Sequence, residues 1–243
     1  MIIAIVQARM GSSRLPKKSL MDIEGKTALE FMIDRVRKSD LIDDIVIATT
    51  VNQEDDVIAD LCINNQINCY RGSENDVLDR FYQSAKKYEA TIVVRLTSDC
   101  PLIDPDLIDE TINLFITKKV DYASNAVPPE KKKYPDGSDV EVFSFDALKK
   151  SWIETTDLKD REHVTFYMWD KRDNFNTIML DNDHDWGKYR ITVDYKEDLE
   201  LVRKIVKRLN ENNLDGSTKE IIEIIESEKL FKINSMHSWG ANW

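Results

Sequence analysis

The first half of the chain alternates short apolar segments with longer segments of helical periodicity. The apolar segments lie at Ile2–Ala8, Asp44–Thr49, Cys69–Arg71, Thr91–Leu96 and Asp121–Ala123. The periodic segments lie at Ala28–Lys38, Glu54–Asn64, Asp76–Tyr88 and Pro105–Thr117. Continuous apolar runs are typical of strands buried on both faces of a parallel sheet. Regular alternation up to about residue 125 therefore predicts parallel βαβ units and a doubly wound sheet.

The pattern changes in the second half. A loop rich in Pro and Lys at 128–137 precedes Asp139–Phe143, whose polar–apolar alternation predicts a half-exposed strand. Further strands are predicted at Asn176–Leu180 and Tyr189–Val193, and helices at Phe145–Thr155, Arg161–Asp170, Glu197–Asn212 and Thr218–Ser227, the last capped by Ser217. We therefore predict an α/β fold in one domain, residues 1–243, with a doubly wound, mostly parallel sheet and a small antiparallel insertion at about 126–185.

The composition limits the partners and the compartment. The 243 residues include 45 acidic and 34 basic side chains, a net charge of −11. This argues against nucleic-acid binding, whose affinity comes largely from neutralising phosphates. No apolar run approaches the roughly 18 residues of a membrane span. The three cysteines form no C-x-x-C pair, so we expect a cytoplasmic protein without a disulfide framework.

Glycine and histidine spacing excludes several common catalytic motifs. None of the seven glycines fits G-x-G-x-x-G, G-x-x-x-x-G-K-[ST] or G-x-S-x-G in its standard form. The three histidines are far apart, so H-E-x-x-H is absent as well. The chemistry is left to carboxylates, to Lys and Arg, and to backbone groups.

A basic loop, Ala8–Leu20, follows the first predicted strand. It reads A-R-M-G-S-S-R-L-P-K-K-S-L and contains four basic residues, while the first acid of the chain is Asp22. Ligands of open α/β sheets bind at this end of the strands. Small residues let backbone N–H groups approach an oxyanion, and Arg and Lys supply charge, so the loop is a candidate polyphosphate cradle; a solvated surface loop is the alternative. The candidate residues are Ala8, Arg9, Gly11, Ser12, Ser13, Arg14 and Lys18.

This loop and three later segments resemble those of a known enzyme family. The later segments are Arg71–Phe81 (R-G-S-E-N-D-V-L-D-R-F), Leu96–Asp104 (L-T-S-D-C-P-L-I-D) and Arg190–Leu201 (R-I-T-V-D-Y-K-E-D-L-E-L). Together they resemble sugar-activating nucleotidyltransferases, namely the acylneuraminate and 3-deoxy-manno-octulosonate cytidylyltransferases and the SpsF-like proteins of spore-coat polysaccharide synthesis.

The resemblance implies a Rossmann-like core related to that of GT-A glycosyltransferases, and a reaction between a nucleoside triphosphate and a sugar. Pyrophosphate would be released, and the product would serve surface polysaccharide or glycan synthesis. CTP is favoured, with an acid sugar or a sugar phosphate as acceptor, and GTP with a sugar 1-phosphate is the alternative. The resemblance also implies a homodimer, with the Phe143 region or the tail containing Trp239 and Trp243 as candidate contacts.

Two aspartates are candidate ligands for a divalent cation, which nucleotidyl transfer requires. Asp99 follows the strand predicted at Thr91–Leu96, and Asp194 ends the strand predicted at Tyr189–Val193. Carboxylate oxygens suit Mg²⁺, and the resemblance implies that both aspartates bind it. The alternatives are a turn or N-cap role for Asp99 and a helix cap for Asp194. Arg14, Lys18 and Asp99 are the predicted catalytic residues.

Two further segments are candidates for contact with the nucleotide. The turn Gly72–Asp79 could close over the base, although Ser73 or Asn75 could equally cap the helix that follows. The resemblance places Asp76 and Arg80 near the nucleotide. Three residues that run toward Asp99 are candidates to flank the base or ribose: Arg95, Thr97 and Ser98.

The segment Tyr134–Val142 is the candidate acceptor site. Tyr134, Asp139 and Glu141 could bind sugar hydroxyls, and strand alternation would place the two acids on one side. His163 could bind an acidic or phosphorylated sugar, although a histidine on a helix face is more often structural. Two other functions stay open: a GT-A-type glycosyltransferase, which would consume a sugar-nucleotide, and a non-catalytic nucleotide-binding subunit.

Overall fold

A computed structural model describes residues 1–170 and 174–237. The strands are β1 (Ile2–Gln7), β2 (Asp22–Ile23), β3 (Lys26–Thr27), β4 (Asp44–Thr50), β5 (Asn68–Gly72), β6 (Ile92–Thr97), β7 (Tyr122–Ser124), β8 (Glu141–Ser144) and β9 (Thr177–Met179). The helices are α1 (Ala28–Val36), α2 (Asp56–Asn64), α3 (Val77–Lys87), α4 (Pro105–Lys118), α5 (Phe145–Glu154), α6 (Leu158–His163), α7 (Phe166–Trp169), α8 (Lys196–Asn212) and α9 (Thr218–Ser227).

The main sheet is doubly wound, as the alternation of segments predicts. Its strand order is β5-β4-β1-β6-β8-β7-β9. Strand β1 pairs in parallel with β4 on one side and β6 on the other, and β4 pairs in parallel with β5. Strands β4 and β5 therefore extend the sheet on one side of β1, and β6 begins the other side. The strand order changes direction between β1 and β6. The crevice at such a switch point is where ligands bind in open α/β sheets.

Apolar side chains of β1 pack on both faces of the sheet. Ala4 and Val6 face a cluster formed with α1, α2 and α4, whereas Ile3 and Ile5 face a cluster formed with α3, α5 and α7. The helices α8 and α9 pack on each other in a third cluster. A wholly apolar strand covered on both faces accounts for the absence of polar alternation in β1.

The antiparallel strand of the second half is wrongly predicted as half-exposed. Strand β8 begins at Glu141 and pairs antiparallel with both β6 and β7, so it lies inside the main sheet. Its residue Phe143 is wholly buried within the subunit, so this side chain is not exposed for a subunit contact. A small separate sheet of two antiparallel strands is present and is formed by β2 and β3, outside residues 126–185 in sequence. The two C-terminal tryptophans, Trp239 and Trp243, lie outside the described residues.

Two predicted elements are replaced by other conformations. The segment 189–193 is not a strand, since its ladder is limited to one isolated bridge between Arg190 and Asp136. The helix predicted at 161–170 is divided into α6 and α7, because Val164 between them has a φ of +63°, outside the α-helical region. Among the described helices, none is long and apolar enough to cross a membrane.

The start of α9 agrees with the sequence in detail. The Ser217 hydroxyl accepts a hydrogen bond from the backbone N–H of Glu220, and the Glu220 carboxylate accepts one from the backbone N–H of Ser217. This reciprocal capping box satisfies two N–H groups that the helix leaves unpaired.

We expect Ser217→Ala to lower the free energy of unfolding by about 1 kcal/mol, the usual cost of losing an N-cap. Urea unfolding followed by circular dichroism measures it. Ser235→Ala is the control, because its exposed hydroxyl bonds only the local Lys232 carbonyl. Equal stability of the two variants would contradict the role of the cap.

Candidate active site

A cavity of about 700 Å³ opens at the carboxyl ends of β1 and β6. It lies at the switch point of the sheet, between the basic loop and the turn after β6. Most residues predicted for the site line it: Ala8, Arg9, Ser12, Ser13, Arg14, Lys18, Arg80, Arg95, Thr97, Ser98, Asp99, Asp139, Glu141, His163 and Asp194. The fold therefore gathers segments from across the chain around one cavity.

Lys18 joins the two candidate metal ligands. Its ammonium Nζ donates to Asp99 Oδ2 and to Asp194 Oδ1, each at 2.8 Å. Arg14 Nη2 donates to the same Asp194 oxygen at 2.8 Å. The side chains of Lys18 and Asp194 are only 12% and 7% exposed. Two cations of the basic loop and two carboxylates from distant segments thus lie in contact at one partly buried place.

The charges of Lys18 and Asp99 persist at neutral pH. Burial alone would lower the pKa of Lys18, but the adjacent charges of Asp99 and Asp194 outweigh it and raise the pKa above its usual value. Burial would raise the pKa of Asp99, yet the charge and hydrogen bond of Lys18 hold it well below its usual range. The crevice therefore presents permanent positive and negative charge side by side, a pattern suited to a metal-bound polyanion.

The basic loop is anchored from beneath by a residue that sequence reasoning misses. Asp55 is fully buried just before α2, and its Oδ1 accepts a hydrogen bond from the Met10 backbone N–H at 2.7 Å. Its other oxygen accepts from the Thr50 hydroxyl. Further along the loop, the Ser19 and Ser98 hydroxyls are 3.0 Å apart. These ties hold the loop against β4 and β6, so its cations are positioned before any ligand arrives.

Backbone contacts bring the two aspartates together. The Asp99 carbonyl accepts hydrogen bonds from the Val193 N–H at 2.7 Å and from the Thr192 hydroxyl at 3.1 Å. The segment before α8 therefore docks directly on the turn after β6. This docking replaces the sheet pairing that was predicted for residues 189–193, and it places Asp194 opposite Asp99.

Asp99 and Asp194 are the residues that could hold a metal. Both carboxylates already face one cation, the Lys18 ammonium, so their oxygens converge on a common point. Hard carboxylate oxygens suit Mg²⁺, which commonly takes one or two protein ligands together with substrate phosphates and water. Across residues 1–170 and 174–237 no group of three or more His, Cys, Asp or Glu is arranged around a metal position. Two carboxylates suit an ion whose remaining ligands are phosphate oxygens and water.

Arg80 and Arg95 line the cavity, and both side chains are buried. Arg80 donates to the Ser73 carbonyl at 2.6 Å, and its Nε has no hydrogen-bond partner. Burial and the nearby charge of Arg9 lower the pKa of Arg80 to about 10. Arg95 pairs with Glu141 and donates to Gln7 Oε1 at 3.3 Å, while its Nε is also unpaired. Each guanidinium group therefore keeps one buried N–H without a hydrogen-bond partner.

Four predicted residues do not line the cavity. Gly11 is exposed, and a side chain at this position would meet Glu54. Gly72 ends β5 against the side chain of Arg80. Asp76, and not Ser73 or Asn75, caps α3, and it also pairs with Arg161 at 2.7 Å. Tyr134 belongs to the apolar core, and its hydroxyl donates to the Asp181 carbonyl. These four residues contribute to turns, a helix cap and the core, and none of them faces the cavity.

The predicted acceptor residues that do line the cavity are already paired. The Glu141 carboxylate is buried and accepts from Arg95, from the Tyr122 hydroxyl at 2.6 Å and from the Thr165 hydroxyl at 2.5 Å. Asp139 lies before β8, not on it, and pairs with Lys132. The predicted strand alternation is therefore not what brings these two acids together.

His163 also lines the cavity, at the end of α6. It stacks on Phe166 with ring centroids 4.3 Å apart. Burial lowers its pKa, so it is neutral at pH 7. A neutral ring can exchange hydrogen bonds with a sugar but supplies no fixed charge to an acidic group.

Asp136 and Arg190 are cavity residues that the sequence analysis does not select. Arg190 Nη1 donates to Asp136 Oδ2 at 2.6 Å, and its Nη2 donates to Asp194 Oδ2 at 2.9 Å. Burial and the charge of Asp139 raise the pKa of Asp136 to about 6. In the sequence, Asp136 lies within the candidate acceptor segment and Arg190 begins a segment that resembles the family, while the i, i+4 spacing of Arg190 and Asp194 is typical of a surface ion pair.

Asp136 should make the stability of the protein depend on pH. Between about pH 4 and 6 the native state holds a proton on Asp136 that the unfolded chain releases, so the stability linked to it is lost as pH rises. Relative to Asp136→Asn, we expect the free energy of unfolding of the wild type to fall by about 2–3 kcal/mol across that range, at about 1.4 kcal/mol per pKa unit. Urea unfolding in steps of pH measures it, and parallel pH profiles would contradict it.

The chain is similar to known proteins over most of its length. The model of a family described as cytidylyltransferase matches residues 3–234. The spore coat polysaccharide biosynthesis protein SpsF of Bacillus subtilis is 33% identical over 92% of this chain and 93% of its own length. An uncharacterised protein of Methanocaldococcus jannaschii is 37% identical over 96% of this chain and 94% of its own length.

Solved structures show the same fold. A cytidylyltransferase of Leptospira borgpetersenii superposes with a TM-score of 0.89 at 31% identity, covering 96% of this chain and 97% of that one. A CMP:2-keto-3-deoxy-manno-octonic acid synthetase complexed with CTP superposes with a TM-score of 0.64 at 17% identity, covering 85% and 98%. The second likeness concerns the fold alone. The family model matches nearly the whole chain, and relatives more than 30% identical match it over more than nine-tenths of its length. This chain is therefore a nucleotidyltransferase and belongs to the cytidylyltransferase family.

Proposed function

We propose that the protein is a Mg²⁺-dependent cytidylyltransferase that activates an acid sugar or a sugar phosphate with CTP and releases pyrophosphate. The observation that carries this proposal is the cluster of Arg14, Lys18, Asp99 and Asp194 in one crevice. The family description supports CTP. The SpsF relative supports a role in polysaccharide or glycan synthesis.

The triphosphate would lie on the basic loop, because that loop carries cations at the carboxyl edge of the sheet. Arg14 and Lys18 would stabilise negative charge as the bond between the α- and β-phosphates breaks. Asp99 and Asp194 would hold Mg²⁺, which when bound neutralises phosphate oxygens and orients the α-phosphorus. Because the cations are anchored before ligand binding, little reorganisation is needed during the reaction.

An oxygen of the acceptor attacks the α-phosphorus, forms the new P–O bond and displaces pyrophosphate. If the acceptor oxygen is already a phosphate oxygen, no base is needed. If it is a hydroxyl, its proton must pass to a base. Asp136 suits this task, since it lines the cavity and its pKa of about 6 lets it accept a proton near neutral pH.

The homodimer and the cytoplasmic location stay predictions.

Purified protein is incubated with Mg²⁺, inorganic pyrophosphatase, one of the four nucleoside triphosphates, and a panel of sugar acids and sugar 1-phosphates. We expect phosphate release with CTP and one class of acceptor. Release with GTP and a sugar 1-phosphate would instead identify a guanylyltransferase. Turnover of a sugar-nucleotide without triphosphate would identify a glycosyltransferase. Triphosphate binding without any product would indicate a non-catalytic subunit.

Lys18→Met and Asp99→Asn should each lower kcat by about 100- to 1,000-fold, because the first removes a cation that would face the reacting phosphates and the second weakens a proposed Mg²⁺ ligand. Steady-state kinetics with saturating Mg²⁺ and CTP measures the loss. Lys17→Met is the matched control, since Lys17 is exposed and does not line the cavity. Rates within about two-fold of the wild type in either active-site variant would contradict the assignment.

A further inference from the structure

A buried carboxylate stands behind Asp194 and orients its backbone. Asp198 is fully buried in the first turn of α8. Its Oδ2 accepts hydrogen bonds from the backbone N–H groups of Asp194 and Tyr195, both at 3.0 Å. The peptide that carries the Asp194 side chain is therefore fixed by Asp198. Because Asp198 must accept both bonds at once, any shift of its carboxylate moves Asp194.

Arg190 links Asp198 to the side chain of Asp194. Its Nε and Nη2 donate to the two oxygens of Asp198 at 3.1 and 3.0 Å, and the same Nη2 donates to Asp194 Oδ2 at 2.9 Å. With Oδ2 held by Arg190, Asp194 Oδ1 is left to face Lys18 and Arg14. The rotamer that presents Asp194 to the cavity is thus set by a buried guanidinium.

The C-terminal segment completes this network. Asn234 lies after α9 and is only 4% exposed. Its side-chain Nδ2 donates to Asp198 Oδ1 at 2.8 Å and to the Arg190 carbonyl at 3.1 Å. One carboxamide therefore bonds both members of the pair behind Asp194. An apolar side chain of similar size would fill the same space but supply neither bond.

We propose that Asn234 is a positioning residue, an inference that rests on the proposed function. Through Asp198 and Arg190, Asn234 holds the Asp194 carboxylate in place for a divalent cation. The C-terminal segment is then part of the active site, although Asn234 itself does not line the cavity. Groups that bond a metal ligand directly, as Arg190 and Asp198 bond Asp194, typically change metal affinity by about 10–100-fold when they are removed, and Asn234 acts through both of them.

The test compares CTP binding with and without metal. Isothermal titration calorimetry measures the affinity for α,β-methylene-CTP in EDTA and in saturating Mn²⁺. In the wild type, Mn²⁺ is expected to strengthen binding. In Asn234→Asp, a nearly isosteric change, the side chain becomes an acceptor facing the Asp198 carboxylate and the Arg190 carbonyl. We expect it to lose about 10-fold or more of the Mn²⁺-dependent gain while its affinity in EDTA stays within about two-fold.

Two further variants keep the test decisive. Asn234→Ala removes both bonds without adding charge and should give a smaller loss of the same kind, while Ser235→Ala, an exposed neighbour, should keep the full gain. Asp198→Asn, which removes the charge that Asn234 bonds, reports the same coupling should the Asn234 variants not fold.

The outcomes separate the positioning role from the proposed function. A full Mn²⁺-dependent gain in the folded Asn234 variants would overturn the positioning role, as would an equal loss of affinity in EDTA and in Mn²⁺, which indicates a structural defect alone. A wild type without any Mn²⁺-dependent gain would contradict the proposed function itself.

Discussion

The ammonium group of Lys18 between the carboxylates of Asp99 and Asp194 is the interaction on which the site depends. Two partly buried carboxylates that face one point repel each other, and a cation between them offsets that repulsion. Lys18 comes from the loop after β1, Asp99 from the turn after β6, and Asp194 from the entrance to α8. The contact therefore joins three segments that lie 81 and 176 residues apart in sequence.

Two features of the fold make this contact possible. The switch point between β1 and β6 brings the basic loop and Asp99 to one edge of the sheet, as expected for parallel strands that share a carboxyl end. Buried acids then fix the loops that the sheet alone would leave free: Asp55 holds the basic loop, and Asp198 holds the segment that carries Asp194. Preorganised charge is what electrostatic stabilisation of a reacting phosphate requires.

Much of the fold can be predicted from the sequence, because the strongest signals are local. The apolar run of β1, the helical period of α8 and the Ser217 cap of α9 each depend on residues within one element. Segment 189–193 has a strand-like sequence, yet its backbone hydrogen bonds go to Asp136 and Asp99 and not to a neighbouring strand. Nothing local distinguishes these two environments.

The same distinction applies to the site. Arg14, Lys18 and Asp99 could be selected from charge and position alone, because a basic loop after a first strand is visible in the sequence. Asn234 could not, since its partners Asp198 and Arg190 lie 36 and 44 residues away, and nothing local shows that Arg190 also pairs with Asp136, 54 residues away. Glu141 looks like an exposed acceptor ligand in sequence, but Arg95 on the adjacent strand β6 turns it into a buried ion pair. Long-range pairing decides which charged residues face the ligand.

The most direct measurement is a crystal structure of the protein with CTP and Mn²⁺, in which anomalous scattering locates the metal. We predict a manganese peak bound by carboxylate oxygens of Asp99 and Asp194, with the triphosphate on Arg14 and Lys18. A manganese ion and triphosphate bound away from this crevice, or a triphosphate that leaves the basic loop untouched, would contradict it.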